Sequence, residues 1–436
     1  MMRNWNTLNK TAWAEPTLRT KNTITLTLIL MSFGNLILLN SGCKTNDRTK
    51  RCAIKTYSEQ FSELLKSQEG SQEFQYNRIR VFYESGLDEQ AQLLAPLMEE
   101  LVLHVEKELS LQLNISDLTL FLFHGKGEFP LSGENIIFSG TGFKAHVTEQ
   151  RALVVLLIPE NANLESIVIK NPGIYSSVLF HELVEAKLTT RIQVNFSSTK
   201  YDAENMLLTR WFREGFSNYA GYISHKFLLS KINGTKQMNK TWLYNGLERH
   251  PFSNLNIIGK NLFQWHQIKG GVYDNNIDYY EAALGLFLLI ENRHGPEAIA
   301  KIGKEINELN YANGKDLIAL CNRVIGSDIV ELVDNFYFPD LGMGAEALFP
   351  LPNECNNINV SYGIAVKRVS PGGMAQKWGI KDGDVITKVN QEDISTEFEF
   401  EFAILKLLEQ QSVVMEIWRK DTGKVSLPVS LLTRTE

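Results

Sequence analysis

The chain has 436 residues, enough for two or three domains each with its own core. Hydrophobic residues make up 44% and charged residues 22%, an ordinary globular composition that excludes a disordered or fibrous protein. The 44 basic and 50 acidic side chains leave a net charge of −6 with no Lys/Arg block, which excludes a nucleic-acid surface; no nucleic-acid partner is expected.

At the N-terminus, a hydroxyl-rich lead with Arg19 and Lys21 precedes the apolar run TITLTLILMSFGNLILL, Thr23 to Leu39, which ends at NSGC. That ending resembles a bacterial lipoprotein signal: Ser41 and Gly42 stand before Cys43, the residue that would carry the lipid. The match departs at Asn40, where such signals usually carry Leu. Read without cleavage, the run is a short signal anchor. Either way the folded part is expected outside the cytoplasm, anchored to a bacterial membrane on the periplasmic or cell-surface side. If Cys43 is lipidated, Cys52, Cys321 and Cys355 remain, which allows at most one disulfide and forms no CxxC spacing.

Residues 1–42 are thus expected as the signal and 43–74 as a polar tether. In 75–172, RIRVFYES from Arg78 alternates like a strand, Asp88 to Leu111 is an amphipathic helix, and LTLFLFHG and ALVVLLIP read as buried strands. A helix is expected from near Ile174. Beyond Glu185 the pattern to 341 is almost wholly helical, with helices at Ala203–Lys226, Tyr279–His294, Pro296–Leu309, Lys315–Val324 and Asp328–Phe336. Residues 342–354 read as a linker, and 355–436 as a compact β-rich domain.

Chemistry concentrates in VLFHELVEAKL, Val178 to Leu188. Positions four apart share one helix face, so His181 and Glu185 can reach one ion while Glu182 points toward a water. Alone, such a five-residue pattern is weak. It is joined by TRWFREGFSNYAGY from Thr209, in which Trp211, Glu214, Gly215, Phe216 and Tyr219 match a W-x-x-E-G-F-x-x-Y segment. With it the chain resembles the gluzincin metallopeptidases, and the separation 214 − 185 = 29 is similar to that in the glycyl aminopeptidase family.

The resemblance implies an α+β chain: a zincin (thermolysin-like) region with a small mixed sheet and a following helical subdomain. It further implies metal ligands His181, Glu185 and Glu214, Glu182 as general base, and Tyr280 of DYYEAALG as donor to the oxyanion. Zinc is the implied ion. Two carboxylate ligands shift preference toward manganese or another harder divalent ion. Three departures favour a scaffold that holds no ion: Glu185 replaces the usual second His, Ala282 and Ala283 stand where the family has Lys and Gly, and Ser139 to Arg151 offers Lys144 where a Glu would anchor a substrate amine.

The C-terminal run SYGIAVKRVSPGGMAQKWGIKDGDVITKVN resembles a bacterial PDZ domain. It implies a carboxylate-binding loop at Tyr362, Gly363, Ile364 and Ala365, a groove helix from Glu397 to Gln410, and peptide or protein C-termini as partners. Two functions stand side by side: an exported, lipid-anchored metallopeptidase-like protein, and a non-catalytic PDZ adaptor on a gluzincin scaffold.

Overall fold

The computed structural model describes residues 61–62, 64, 66, 71–124, 138–140, 143–147, 151–158, 178–192, 208–231, 250–267, 277–309, 312–347, 363–407 and 413–430. Cys43, Cys52, Cys355 and Tyr362 lie outside them. No described helix is long and apolar enough to cross a membrane.

The first half builds a mixed sheet. Its strands are β1 (Gln72–Tyr76), β2 (Ile79–Tyr83), β3 (Asp117–His124), β4 (Phe138–Gly140), β5 (Phe143–Val147) and β6 (Arg151–Ile158), in the order β1-β2-β3-β6-β5-β4. β2, β3 and β6 run parallel in the middle, while β1 at one side and β5 and β4 at the other pair antiparallel. The parallel strands are near-continuous apolar runs because both faces are covered. Helix α1 (Asp88–Leu109) connects β2 to β3 and buries Ala91, Leu94, Met98, Val102 and Val105, the stripe that a 3.6-residue period dictates. Phe61 and Leu64 pack over Phe82, Phe121 and Val155 in a separate apolar cluster.

Helices then dominate: α2 (Leu179–Arg191), α3 (Arg210–Lys231), α4 (Pro251–Ile258) continuing as a 3-10 stretch to Gln267, α5 (Ile277–His294), α6 (Pro296–Glu308), α7 (Gly314–Ile325) and α8 (Ile329–Asp334). Two glycines let these helices approach backbone to backbone. A Cβ at Gly215 would stand 2.7 Å from the carbonyl oxygen of Ala283 on α5, and one at Gly285 would stand 2.3 Å from that of Pro251 on α4. The α3–α5 approach sets Glu214 beside the turn that carries Tyr280.

A second sheet closes the chain, with β7 (Met343–Ala347), β8 (Ile364–Val369), β9 (Val385–Val389), β10 (Glu392–Asp393), β11 (Val413–Arg419) and β12 (Gly423–Val429). Its order is β12-β11-β9-β8-β7, with β10 on β9, accompanied by short helix α9 (Met374–Lys377) and by α10 (Glu397–Leu407). The architecture is therefore mixed helix and sheet with a C-terminal β domain. Two expectations change. The linker drawn at 342–354 opens with β7, which pairs antiparallel to β8 and belongs to the second sheet. The helix drawn from Ala203 is described from Arg210, and it runs on to Lys231.

Candidate functional site

Helix α2 is buried on nearly every side. Leu179, Phe180, Leu183, Val184 and Leu188 fill the core, yet Glu182, Glu185 and Lys187 are buried as well. Carboxylates in such a place need partners. His181, Glu182 and Glu185 each bring one ligand-type atom within 4.8 Å of the others. The Nε2 of His181 stands 3.8 Å from Glu182 Oε1, 3.8 Å from Glu185 Oε2 and 3.5 Å from Glu214 Oε2. One imidazole nitrogen thus faces three carboxylates from two helices. Glu182 lies as near as Glu185, so distance alone does not separate a ligand from a base.

The other imidazole nitrogen is occupied. Asn218 donates from Nδ2 to the carbonyl of Tyr280 (3.2 Å), which turns its Oδ1 toward His181 Nδ1 at 2.7 Å. An oxygen there accepts, so Nδ1 carries a proton and Nε2 is the nitrogen turned toward the cluster. Glu214 is 0% exposed, and neither carboxylate oxygen has a hydrogen bond. Its approaches to His181 at 3.5 Å and to Arg210 Nε at 3.7 Å are electrostatic contacts, too loosely aligned to be hydrogen bonds.

Two buried arginines that the sequence reading did not single out complete the cluster. Arg213 donates from Nη1 to Glu185 Oε1 at 2.8 Å. Arg210 donates from Nη2 to the hydroxyl of Tyr280 at 2.6 Å and lies over the ring of Trp265, 4.3 Å from its centroid. The signal was spacing: Arg210, Glu214 and Asn218 recur every four residues of α3, on one face. Tyr280 is accordingly brought to the cluster through Arg210 and Asn218.

Protonation follows from burial and charge. Burial opposes a charged His181, but Glu214, Glu182 and Glu185 outweigh it and raise its pKa to about 10. Burial and then Glu185 push Glu182 well above the usual carboxylate range. Burial and Glu214 raise Glu185 to about 7 against the pull of Arg213. Glu214 moves the other way: burial would raise it, but His181 and then Arg210 and Arg213 hold it below the ordinary value. The cluster is an acidic pocket in which Glu214 keeps its charge.

Of the sequence-expected carboxylate loop, Gly363, Ile364 and Ala365 are described and Tyr362 is not. Gly363 precedes β8 and Ile364 and Ala365 open it; the strand is paired on both edges, with Ile364 opposite Ile386 of β9 and opposite Ala347 of β7. A strand with both edges taken cannot accept a further strand. β8 therefore has no open edge among the described residues, and the sheet ends in β7 on one side and β12 on the other.

Among known proteins, the family model of the PDZ domain matches residues 352–417. No curated protein matches the chain in sequence. Solved structures are similar, among them these two. The HtrA3 PDZ domain bound to a phage-derived ligand, FGRWV, shares 26% identity at a TM-score of 0.19, with 21% of this chain and 84% of that chain covered. An aminopeptidase N family protein from Idiomarina loihiensis shares 14% identity at a TM-score of 0.40, with 83% of this chain and 66% of that chain covered. Residues 352–417 are a PDZ domain, and the observed sheet extends it from β7 to β12.

Proposed function

We propose that the chain is a metal-dependent hydrolase of peptide bonds that engages extended peptide segments through its PDZ domain. The observation that carries the reading is Glu214: a fully buried, charged carboxylate without a hydrogen bond, beside an imidazole whose Nδ1 is already engaged. That donor set fits a divalent cation, because imidazole nitrogen and carboxylate oxygen are its ordinary ligands and neither oxygen of Glu214 is taken by a hydrogen bond. His181, Glu185 and Glu214 would hold the ion, zinc or a harder divalent metal such as manganese. An ion so held supplies Lewis acidity to a water and to the substrate carbonyl.

The chain's own residues do the rest. Glu182, kept in its carboxylate form by the positive charge of a held ion, would take a proton from the attacking water at a carboxylate oxygen and return it to the leaving amine. Tyr280 donates its hydroxyl proton to the developing oxyanion, and the Arg210 guanidinium that donates to its oxygen makes it the stronger donor. Asn218 holds the His181 ring in one tautomer and orientation. Glu182→Gln should therefore retain the metal while lowering hydrolysis of an unstructured protein by at least about a hundredfold. Activity that survives this change would remove the mechanism.

A second reading, a PDZ-bearing scaffold without catalysis, is favoured by the Arg213–Glu185 pair, which gives Glu185 a cation of its own. Export and lipid attachment at Cys43, with the folded part beside a bacterial membrane, belong to the same proposal and rest on the NSGC signal.

A further inference from the structure

We infer that the groove between β7 and α10 takes an internal, extended peptide segment bearing a lysine or arginine side chain, and not a free carboxy terminus. The inference rests on the peptide-binding reading above and specifies its ligand.

β7 ends the second sheet, so among the described residues its outer edge is the one open to strand addition beside α10. Along it, Met343 and Ala345 are half-buried while Gly344 and Glu346 are exposed, the alternation of a strand with one side turned to a groove. A cavity of about 190 Å³ lies there, walled by Met343 and Ala345 on one side and by Glu397, Phe400 and Glu401 of α10 on the other. A third wall comes from outside the domain, from His250 and Ser253 at the start of α4. The groove is a joint product of the PDZ domain and the helical region.

Its chemistry opposes a carboxylate. In strand-addition sites that read chain ends, backbone N–H groups of the adjoining loop capture the terminal carboxylate. Among the described residues the loop adjoining β7 is Pro339 to Gly342, and the N–H of Gly342 is already taken by Asp340 Oδ1 at 2.8 Å. The loop is also pinned from behind, since Ser370 N donates to the carbonyl of Gly342 at 2.7 Å and Ala375 N to that of Leu341 at 2.9 Å. Asp340 and Glu397 thus set two carboxylates at the cavity, while Glu401 and the imidazole of His250 are committed to each other. A peptide's terminal carboxylate would meet repulsion and a backbone donor already engaged. A cationic side chain on a passing strand would meet attraction, with Phe400 to cover its aliphatic stem.

The test uses the full chain and three labelled decapeptides of one alternating alanine-valine sequence, followed by fluorescence anisotropy. One is blocked at both ends and carries a central lysine; the second is blocked with glutamine in that place; the third is the glutamine peptide with a free carboxylate. The expected result is binding of the lysine peptide about tenfold tighter than its glutamine counterpart, weakening with salt as charge attraction requires. Glu397→Gln should erase most of that difference, and Asp340→Ala should let the free-carboxylate peptide gain. A free-carboxylate peptide that binds about tenfold tighter than its amide overturns this inference and leaves peptide binding intact. A lysine preference untouched by Glu397→Gln also overturns it, by placing the cation elsewhere. No binding by any of the three peptides overturns both this inference and the peptide-binding reading.

Discussion

At the scale of single residues the site is a contest between two kinds of cation for the same carboxylates. Arg213 neutralises Glu185 from one side, leaving Oε2 turned toward His181. Without metal, removing one partner of such a buried pair typically costs about 3–5 kcal/mol, because the remaining charge is stranded. Arg213→Met should therefore lower the unfolding midpoint of the metal-free chain clearly. The same change frees Glu185 Oε1, so affinity for a divalent ion should rise by about tenfold or more; calorimetric titration with zinc and with manganese measures it. A variant destabilised to the same degree with metal as without would show that Glu185 serves the ion pair alone. His181, Glu182, Glu185 and Glu214 were legible from helical spacing and a Trp-x-x-Glu-Gly segment, and Tyr280 only through the resemblance of DYYEAALG to a family segment. Arg210, Arg213 and Asn218 were not, because a polar residue in a helix, charged or neutral, ordinarily reads as a solvated face and only tertiary packing buries these.

At the scale of elements, packing of α3 on α5 decides the geometry. Gly215 follows Glu214, and a methyl group there would meet the Ala283 carbonyl at 2.7 Å and the Phe287 ring at 2.8 Å. Gly215→Ala should destabilise the fold by about 1–3 kcal/mol, the usual cost of overpacking. By forcing the helices apart it should also draw Tyr280 from the cluster, so turnover should fall more than metal content, and paired measurements on one preparation separate the two. The parallel strands and most helices were readable from apolar runs and 3.6-residue periodicity. β7 was not, because Met-Gly-Ala-Glu-Ala is poor in strand-forming residues and becomes a strand only by pairing with β8. Nor was α4 with its 3-10 continuation, where Asn254, Asn256 and Gly259 interrupt the period. Side chains distant in sequence fix it: Glu281 accepts from His250 N, and Asn256 accepts from Phe338 N.

At the scale of the molecule, Glu401 joins the PDZ domain to the helical region. Its buried carboxylate accepts from Phe252 N at 2.9 Å, Ser253 N at 3.2 Å and His250 Nδ1 at 3.2 Å, and also from the Ser253 hydroxyl. An anion at a helix N-terminus is favoured by the exposed N–H groups and the helix dipole. Glu401→Ala should cost about 1–3 kcal/mol by leaving those donors unpaired, and should loosen the two regions before either unfolds. The Glu401 hydrogen bond raises His250 above its ordinary 6.5. Such a group stabilises most below pH 6.5, and the contribution is lost as pH climbs through the raised value. Amide exchange at Phe252 and Ser253, corrected for intrinsic rates, should therefore speed up more at pH 8 than at pH 6, and His250→Ala should remove the extra pH dependence. Constant protection across that range would detach His250 from the joint.

The central claim is that His181, Glu185 and Glu214 hold a divalent ion. The most direct measurement is metal per chain, determined by elemental analysis on the wild type and on Glu214→Gln after equilibration with zinc or manganese and removal of free ion. The account predicts one ion per wild-type chain and loss of stoichiometric binding in the variant, because Glu214 is the buried carboxylate that no hydrogen bond compensates. A wild type that retains no ion with either metal, or a Glu214→Gln variant that retains it fully, would contradict the account.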